Sequence, residues 1–470
     1  MSEYKSKQGT RMCVDLEMLQ RYDKPGPRYT SYPTAPHFTG EFGPQEFEAE
    51  IQRSNKIDNP IDLSLYFHLP FCDTLCYFCG CTMIITHSRQ CIDEYLDYLI
   101  KEIKLISRKI KPDRKVSQLH WGGGTPTYLE PDQIRRLFAA SREHFKFHPD
   151  AEIGVEIDPR GLTEEHLDAL KEVGFNRASM GVQDFEPKVQ ESVNRLQSEE
   201  LTRWAFDGLR QRGFESINLD LIYGLPFQTL DSFEKTLDRI LDISPDRLAV
   251  FNYAHVPWMK KHQRVIDEKT LPNPPEKLAI LKLTIENLTT AGYVYIGMDH
   301  FAKPEDSLTQ AFYEKTLYRN FQGYSTKWGC DLYALGMSSI SQLRDVYAQN
   351  IKEIPSYYKA IDEERLATQR GYRLQEDDQL RRYVIMRLMC DFELNKKRVE
   401  EKFNVDFDSY FEDALPELEH FAADGLIEWP NSIIKVTEMG RLLIRNIAMV
   451  FDKYLNQSKR QKTPMYSKTV

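Results

Sequence analysis

Four of the eight cysteines in this 470-residue chain fall within ten positions, Cys72, Cys76, Cys79 and Cys81. The first three have the spacing C-x3-C-x2-C, inside Tyr-Phe-His-Leu-Pro-Phe-Cys-Asp-Thr-Leu-Cys-Tyr-Phe-Cys-Gly-Cys at 66–81. Thiolates are soft ligands, and a tight loop of them suits zinc or an iron–sulfur cluster. Three ligands are one short of a closed tetrahedral site. If Cys81 stays off the metal, one coordination position remains open, as in catalytic rather than structural centres. A zinc knuckle with Cys81 as fourth ligand is the plainer alternative. A disulfide fits less well, because the cysteine cluster in a chain without an apolar N-terminal leader points to a reducing cytoplasm. Cys13, Cys91, Cys330 and Cys390 are isolated and read as buried free thiols.

The loop resembles that of the radical S-adenosylmethionine (SAM) enzymes, in which three cysteines hold a [4Fe-4S] cluster and the fourth iron chelates SAM. The longer form C-x3-C-x2-C-x-C, preceded by Tyr-x-His-x-Pro-Phe, resembles one family in particular, the oxygen-independent coproporphyrinogen III oxidases (dehydrogenases). The arm Pro27-Arg28-Tyr29-Thr30-Ser31-Tyr32-Pro33-Thr34 resembles the same family, and so do Gly297–Phe301, Arg319–Thr326 and Leu335–Ser341. Trp328 and Cys330, after the second of these, depart from the family's smaller or polar residues.

Parallel β/α units can position such a loop. Apolar runs at Ile61–Phe67, Val116–Trp121, Ile153–Ile157, Asn176–Val182, Ser216–Tyr223 and Arg247–Tyr253 read as strands. Helical patterns lie between them, near Ile92–Ile106, Pro131–Phe145, Thr163–Val173 and Ser232–Leu241, with further helical material up to Arg212. Six repeats with right-handed crossovers predict an α/β fold, an open partial (β/α)6 barrel with chemistry at the carboxyl ends of its strands. Every polar cluster falls at such an end. These are the cysteine loop, Gly122–Pro126, Glu156–Arg160, Gly181–Asp184, Asp220–Pro226 and Asn252–His255. The run Gly122-Gly123-Gly124 lets backbone approach a ligand closely.

The remainder is expected to be accessory. Residues 1–60 form an N-terminal arm or lid, with a short helix marked by Leu16, Leu19 and Tyr22 and ended by Pro25 and Gly26, and 61–370 hold the barrel and its extension. Leu278, Leu281, Ile285 and Leu288 mark a packing helix. Residues 371–455 form a small, mainly α winged-helix-like domain. Its first helix carries Leu380, Tyr383, Val384 and Leu388 on one face. A hairpin turns at Asn431, and a last helix, capped by Thr437, runs through Phe451. Residues 456–470 are read as a mobile tail. A net charge of −9 and a pI near 5.8 argue against nucleic-acid binding. No stretch is long and apolar enough to predict a membrane span.

The resemblance implies the remaining assignments. Cys72, Cys76 and Cys79 are cluster ligands, and Tyr66 and Cys81 serve the reaction itself. Two SAM molecules are implied. The first lies against Tyr66, Phe78, Gly123, Glu156 and Ile340. The second lies against Gly124, Thr125, Gln183, Arg195, Asp220 and Ala254. The implied activity is anaerobic oxidative decarboxylation of two propionates of coproporphyrinogen III to vinyl groups, giving protoporphyrinogen IX. Arg28 and Arg319 are candidates for the substrate carboxylates. The enzyme would be a cytoplasmic monomer fed by a one-electron donor such as a flavodoxin-type protein. A haem-carrying chaperone, or another radical SAM activity on the same scaffold, is the alternative. Cys81 and the 27–34 arm speak against the chaperone.

Overall fold

The computed structural model describes residues 11–57, 61–455, 466 and 468. Six strands carry the α/β core: β1 (Leu63–Leu69), β2 (Lys115–Gly123), β3 (Lys146–Ile157), β4 (Arg177–Gln183), β5 (Ser216–Tyr223) and β6 (Arg247–Asn252). They lie side by side in that order, all parallel. Their helix-facing positions are filled by buried Leu, Ile, Val and Phe, whereas the alternate positions turned into the barrel include His120, Glu156, Ser179 and Asp220. Helices Arg89–Ser107, Pro131–His144, Glu164–Val173, Glu199–Gln211 and Leu230–Ile243 cover it. Their starts are set locally. Ser88, Thr163, Ser198 and Thr229 each accept a hydrogen bond from a first-turn backbone N–H.

The sheet runs further than six strands. Among the described residues it has twelve, and the additions lie on both edges. Beyond β6 lie β7 (Val294–Gly297) and β8 (His300–Ala302), with β8 antiparallel to both neighbours. Beyond β1 lies a seventh parallel strand, β9 (Asp331–Leu335). It is followed by antiparallel β10 (Ile340–Leu343), β11 (Val346–Asn350) and β12 (Thr368–Arg373). These strands have three to six residues, too few for alternation to stand out in the sequence.

The arm contains a second helix that the sequence reading left out, Pro44–Ser54. Pro44 opens it, and the Glu46 carboxylate accepts from the Gly43 N–H. Phe47 and Ile51 bury its inner face. The packing helix at Pro274–Thr290 buries Leu278, Ile285 and Leu288 as expected.

Past residue 374, helix Glu376–Asp391 packs against the end of the barrel extension and against the last helix. A three-stranded sheet, with Ile427–Glu428 and Ile433–Val436 as its hairpin, completes the unit. Asn431 turns the hairpin in the left-handed region at φ 58°. Thr437 caps the next helix, but this helix ends at Leu442 and a separate one runs Ile444–Met449. The single helix through Phe451 is therefore two, broken at Leu443.

The isolated cysteines are not uniformly buried. Cys390 is buried and Cys330 half-buried, whereas Cys13 and Cys91 are exposed, because each falls on the outer side of its segment. Most of the 456–470 tail lies outside the described residues, Lys459, Arg460 and Lys462 included. Two of its residues are docked rather than free. The Tyr466 hydroxyl shares a hydrogen bond with Thr34, and Lys468 bonds Asp23 at 2.6 Å.

Candidate active site on the strand-end rim

The loop after β1 is shaped by its neighbours before any ligand is considered. Gly124 N–H donates to Leu69 O, and Thr125 N–H donates to Phe71 O. The backbones at 69–71 and 123–125 therefore run in contact. A Cβ at Gly124 would sit 2.5 Å from the Pro70 carbonyl oxygen, and one at Gly123 (φ +117°) would sit 2.6 Å from the His68 ring. The glycine run is thus required first by the chain's own packing, not by open space for a ligand. Along the rim, Tyr77 N–H donates to Val193 O and Asn194 Nδ2 to Leu75 O. Lys260 Nζ donates to Cys81 O, and Gln263 Nε2 to both Phe78 O and Ala254 O.

All eight cysteines are free thiols. Thr125 Oγ1 donates to Cys72 Sγ at 3.4 Å. Arg160 Nη2 lies 3.5 Å and Arg195 Nη1 3.8 Å from Cys76 Sγ. Both guanidinium groups also hold Asp158, at 2.7 and 2.9 Å. The Cys79 thiol is pulled down to about 6, first by its hydrogen bond with Cys81 and then by the nearby charges of Lys260 and His262, against burial. Burial pushes Cys72 up to about 12. Cys81 is driven well up by the bond to Cys79 and by burial. Among the described residues no three His, Cys, Asp or Glu side chains form a ready-made metal cage. The donor set nevertheless fits a cluster. It offers free soft ligands on one loop with guanidinium groups at one sulfur, and metal charge would stabilise the remaining thiolates.

Two carboxylates face into the strand ends. Burial raises Glu156, but His120 at 3.3 Å, its charge, and the Gly123 N–H at 3.0 Å more than offset this and hold it below the usual carboxylate range. The Tyr66 ring stacks on that same His120, centroids 6.1 Å apart, and its hydroxyl bonds His68. Asp220 accepts from Asn218 and Ser179, yet burial lifts it to about 6. Both carboxylates line a cavity of about 210 Å³ inside the partial barrel. Gln183 (φ 71°) and Arg195 lie beside Gly181, and Gln183 Oε1 and Arg195 Nε have no hydrogen-bond partner. Ile340 opens β10 after the turn that follows β9, the neighbour of β1.

A larger cavity of about 470 Å³ adjoins this rim at Tyr253 and Ala254. Arg28 on its wall pairs with Asp299 and lies 5.9 Å from the Phe251 ring. Arg319 is 4% exposed, lies over Tyr324, and donates Nε to the Arg28 carbonyl. The cavity wall also includes Lys277 and Arg445, which the sequence reading did not single out. Burial brings Arg445 down to about 9. Lys277 sits on the packing helix, one residue before an apolar position, with nothing local to mark it. Asp158 and Arg160 had only their place after a strand to announce them. Trp328 and Cys330 line a separate cavity of about 350 Å³ with Tyr318 and Arg382, away from the rim.

The radical SAM superfamily model matches residues 66–240, and the HemN C-terminal domain model matches 374–443. Oxygen-independent coproporphyrinogen III oxidase of Escherichia coli is 50% identical over 448 residues, covering 95% of this chain and 97% of that one. The protein of the same name from Pseudomonas aeruginosa is 48% identical over 450 residues, with the same coverage. The solved structure of coproporphyrinogen III oxidase (HemN) from Escherichia coli, described as a radical SAM enzyme, superposes with a TM-score of 0.90 at 48% identity. It covers 95% of this chain and 100% of its own. With identity of this order along nearly its whole length, and three free thiols at C-x3-C-x2-C on the strand-end rim, the chain belongs to the oxygen-independent coproporphyrinogen III oxidase family of radical SAM enzymes.

Proposed function

We propose that the chain carries out its family's reaction on coproporphyrinogen III. Two propionate side chains lose carbon dioxide and two electrons each without oxygen, and the product is protoporphyrinogen IX. The observation that carries this is the free-thiol loop after β1, with Arg160 and Arg195 at the Cys76 sulfur. Cys72, Cys76 and Cys79 would hold a [4Fe-4S] cluster. When bound, the cluster and SAM supply a carbon-centred radical strong enough to take a hydrogen atom from a propionate carbon.

The chain's own residues then bind, orient and exclude. Glu156, held as a carboxylate, accepts hydrogen bonds from the first SAM, beside Tyr66, Phe78, Gly123 and Ile340. The orphaned Gln183 Oε1 and Arg195 Nε are the polar atoms offered to a second SAM, with Gly124, Thr125, Asp220 and Ala254. Arg28, Lys277 and Arg445 meet the substrate carboxylates. Cys81, whose backbone N–H donates to Cys79 Sγ at 3.4 Å, would serve the reaction rather than ligate. The arm at 27–34 closes the site, since Tyr29 and Tyr32 are buried against the C-terminal residues Asp452 and Lys453.

Protein purified without oxygen is expected to contain iron and sulfide. With SAM, a reductant and coproporphyrinogen III it should yield protoporphyrin after oxidation of the product. Stoichiometric zinc without sulfide would reject the cluster. SAM cleavage with no porphyrin product would leave the cluster and reject the substrate.

A further inference from the structure

The cluster loop is roofed by a short segment whose outer surface serves no purpose inside the chain. Lys260 and His262 bond the carbonyls of Cys81 and Cys79 at 2.9 and 2.7 Å, and Gln263, buried, bonds that of Phe78. The opposite side of the same segment is open. Met259 is 63% and Val265 64% exposed, while Trp258 before them lines the cavity that holds Arg28. From Val256 to Ile266 the segment carries Lys260, Lys261 and Arg264 and no acid, in a chain of net charge −9. Asp267 and Glu268 follow, Glu268 facing His255 at 3.2 Å. Lys352 and Arg370 lie near Lys260, with Glu353 beside them. An exposed apolar patch whose own charges, Lys260, Lys261 and Arg264, are all positive suits a transient contact with an acidic protein surface.

We infer that the segment Met259–Val265 is the docking surface for an acidic, flavodoxin-class one-electron carrier. This rests on the cluster assignment above, which requires an electron at the three-cysteine loop. The route is short. From the His262 ring on the surface, one hydrogen bond reaches Cys79 O, and the residue's own bonds lead on to its sulfur. In the encounter the carrier's flavin hydroquinone gives up one electron and becomes the semiquinone. The group that Cys72, Cys76 and Cys79 would hold would receive that electron, with SAM as the eventual acceptor. Charge complementarity selects the carrier, because an acidic face is steered to the cationic patch and released again at moderate salt.

The test uses the full chain with its cluster, purified flavodoxin, and the double variant Lys261→Glu/Arg264→Glu. Neither residue touches the cysteine loop. Direct binding, followed by calorimetry, should weaken about tenfold in the variant. In the wild type it should weaken between about 50 and about 300 mM salt, with little change in the variant. Flavodoxin-driven SAM cleavage should show a matching rise in KM, while dithionite-driven cleavage stays within about twofold. Binding unchanged in the variant would overturn the docking surface and leave the cluster assignment standing. Loss of dithionite-driven cleavage would overturn it as well, because the residues would then be structural. A wild type that cleaves no SAM with dithionite would remove the cluster assignment and this inference together.

Discussion

Two buried arginine–aspartate pairs lie at opposite ends of the same sheet, and they differ in what surrounds them. At the amino ends, Arg114 and Asp331 meet at 2.6 Å with side chains 1% and 3% exposed. Arg114 also donates to Ile61 O, Ser54 and Tyr333, so the pair closes on the fold itself. At the carboxyl rim, Arg195 and Asp158 meet at 2.9 Å, but Arg195 turns one edge to a thiol and leaves Nε without a partner. A buried charge pair with every donor satisfied holds structure together. One with donors left over, aimed at sulfur, is arranged for something that binds.

The comparison can be broken at either end. The largest effect is expected from Cys76→Ser. Iron, sulfide and visible absorption should fall to background with the far-ultraviolet spectrum unchanged, and retention of the cluster would take Cys76 off the ligand set. Next, Arg114→Ala should cost about 3–5 kcal/mol in denaturant unfolding, because Asp331 is left buried and unpaired. A loss below 1 kcal/mol would show the amino-end pair to be dispensable. Asp158→Asn should lower cluster content or SAM cleavage about 10–100-fold, as loss of support behind a ligand does, with a smaller stability change than at Arg114. Equal stability losses at the two pairs would erase the distinction.

The smallest effect concerns Asp220. Its folded pKa, about 6, lies above the unfolded value, so the folded state pays nothing at pH 4 and loses stability as pH rises through 6. Asp220→Asn should therefore gain about 1–3 kcal/mol relative to wild type between pH 4 and pH 7, seen by denaturation at several pH values, while losing activity. A pH-independent difference would show that Asp220 is not strained by burial.

Much of the fold was legible in the chain because its signals are local. Strands β1 to β6 and the intervening helices follow from apolar runs, side-chain caps and turn residues a few positions apart. Helix Pro44–Ser54 was missed because Phe47 and Ile51 are too few to make a periodic pattern. Strands β7 to β12 are hidden because each has only three to six residues, too few for alternation to register. Burial was least legible. Cys13 and Cys91 look like Cys390 in the sequence and end up exposed.

Spacing and alternation are properties of neighbouring residues, so the chain alone was enough to mark the cysteine loop, the order of the parallel units and the rim on which the polar clusters meet. Only the tertiary structure decided that Arg160 and Arg195 stand at the Cys76 sulfur, that Lys277 and Arg445 share a cavity with Arg28, and that Lys260 and His262 roof the loop. Those contacts join residues tens to hundreds of positions apart, and nothing local records which distant side chain will fill a given space once the sheet closes.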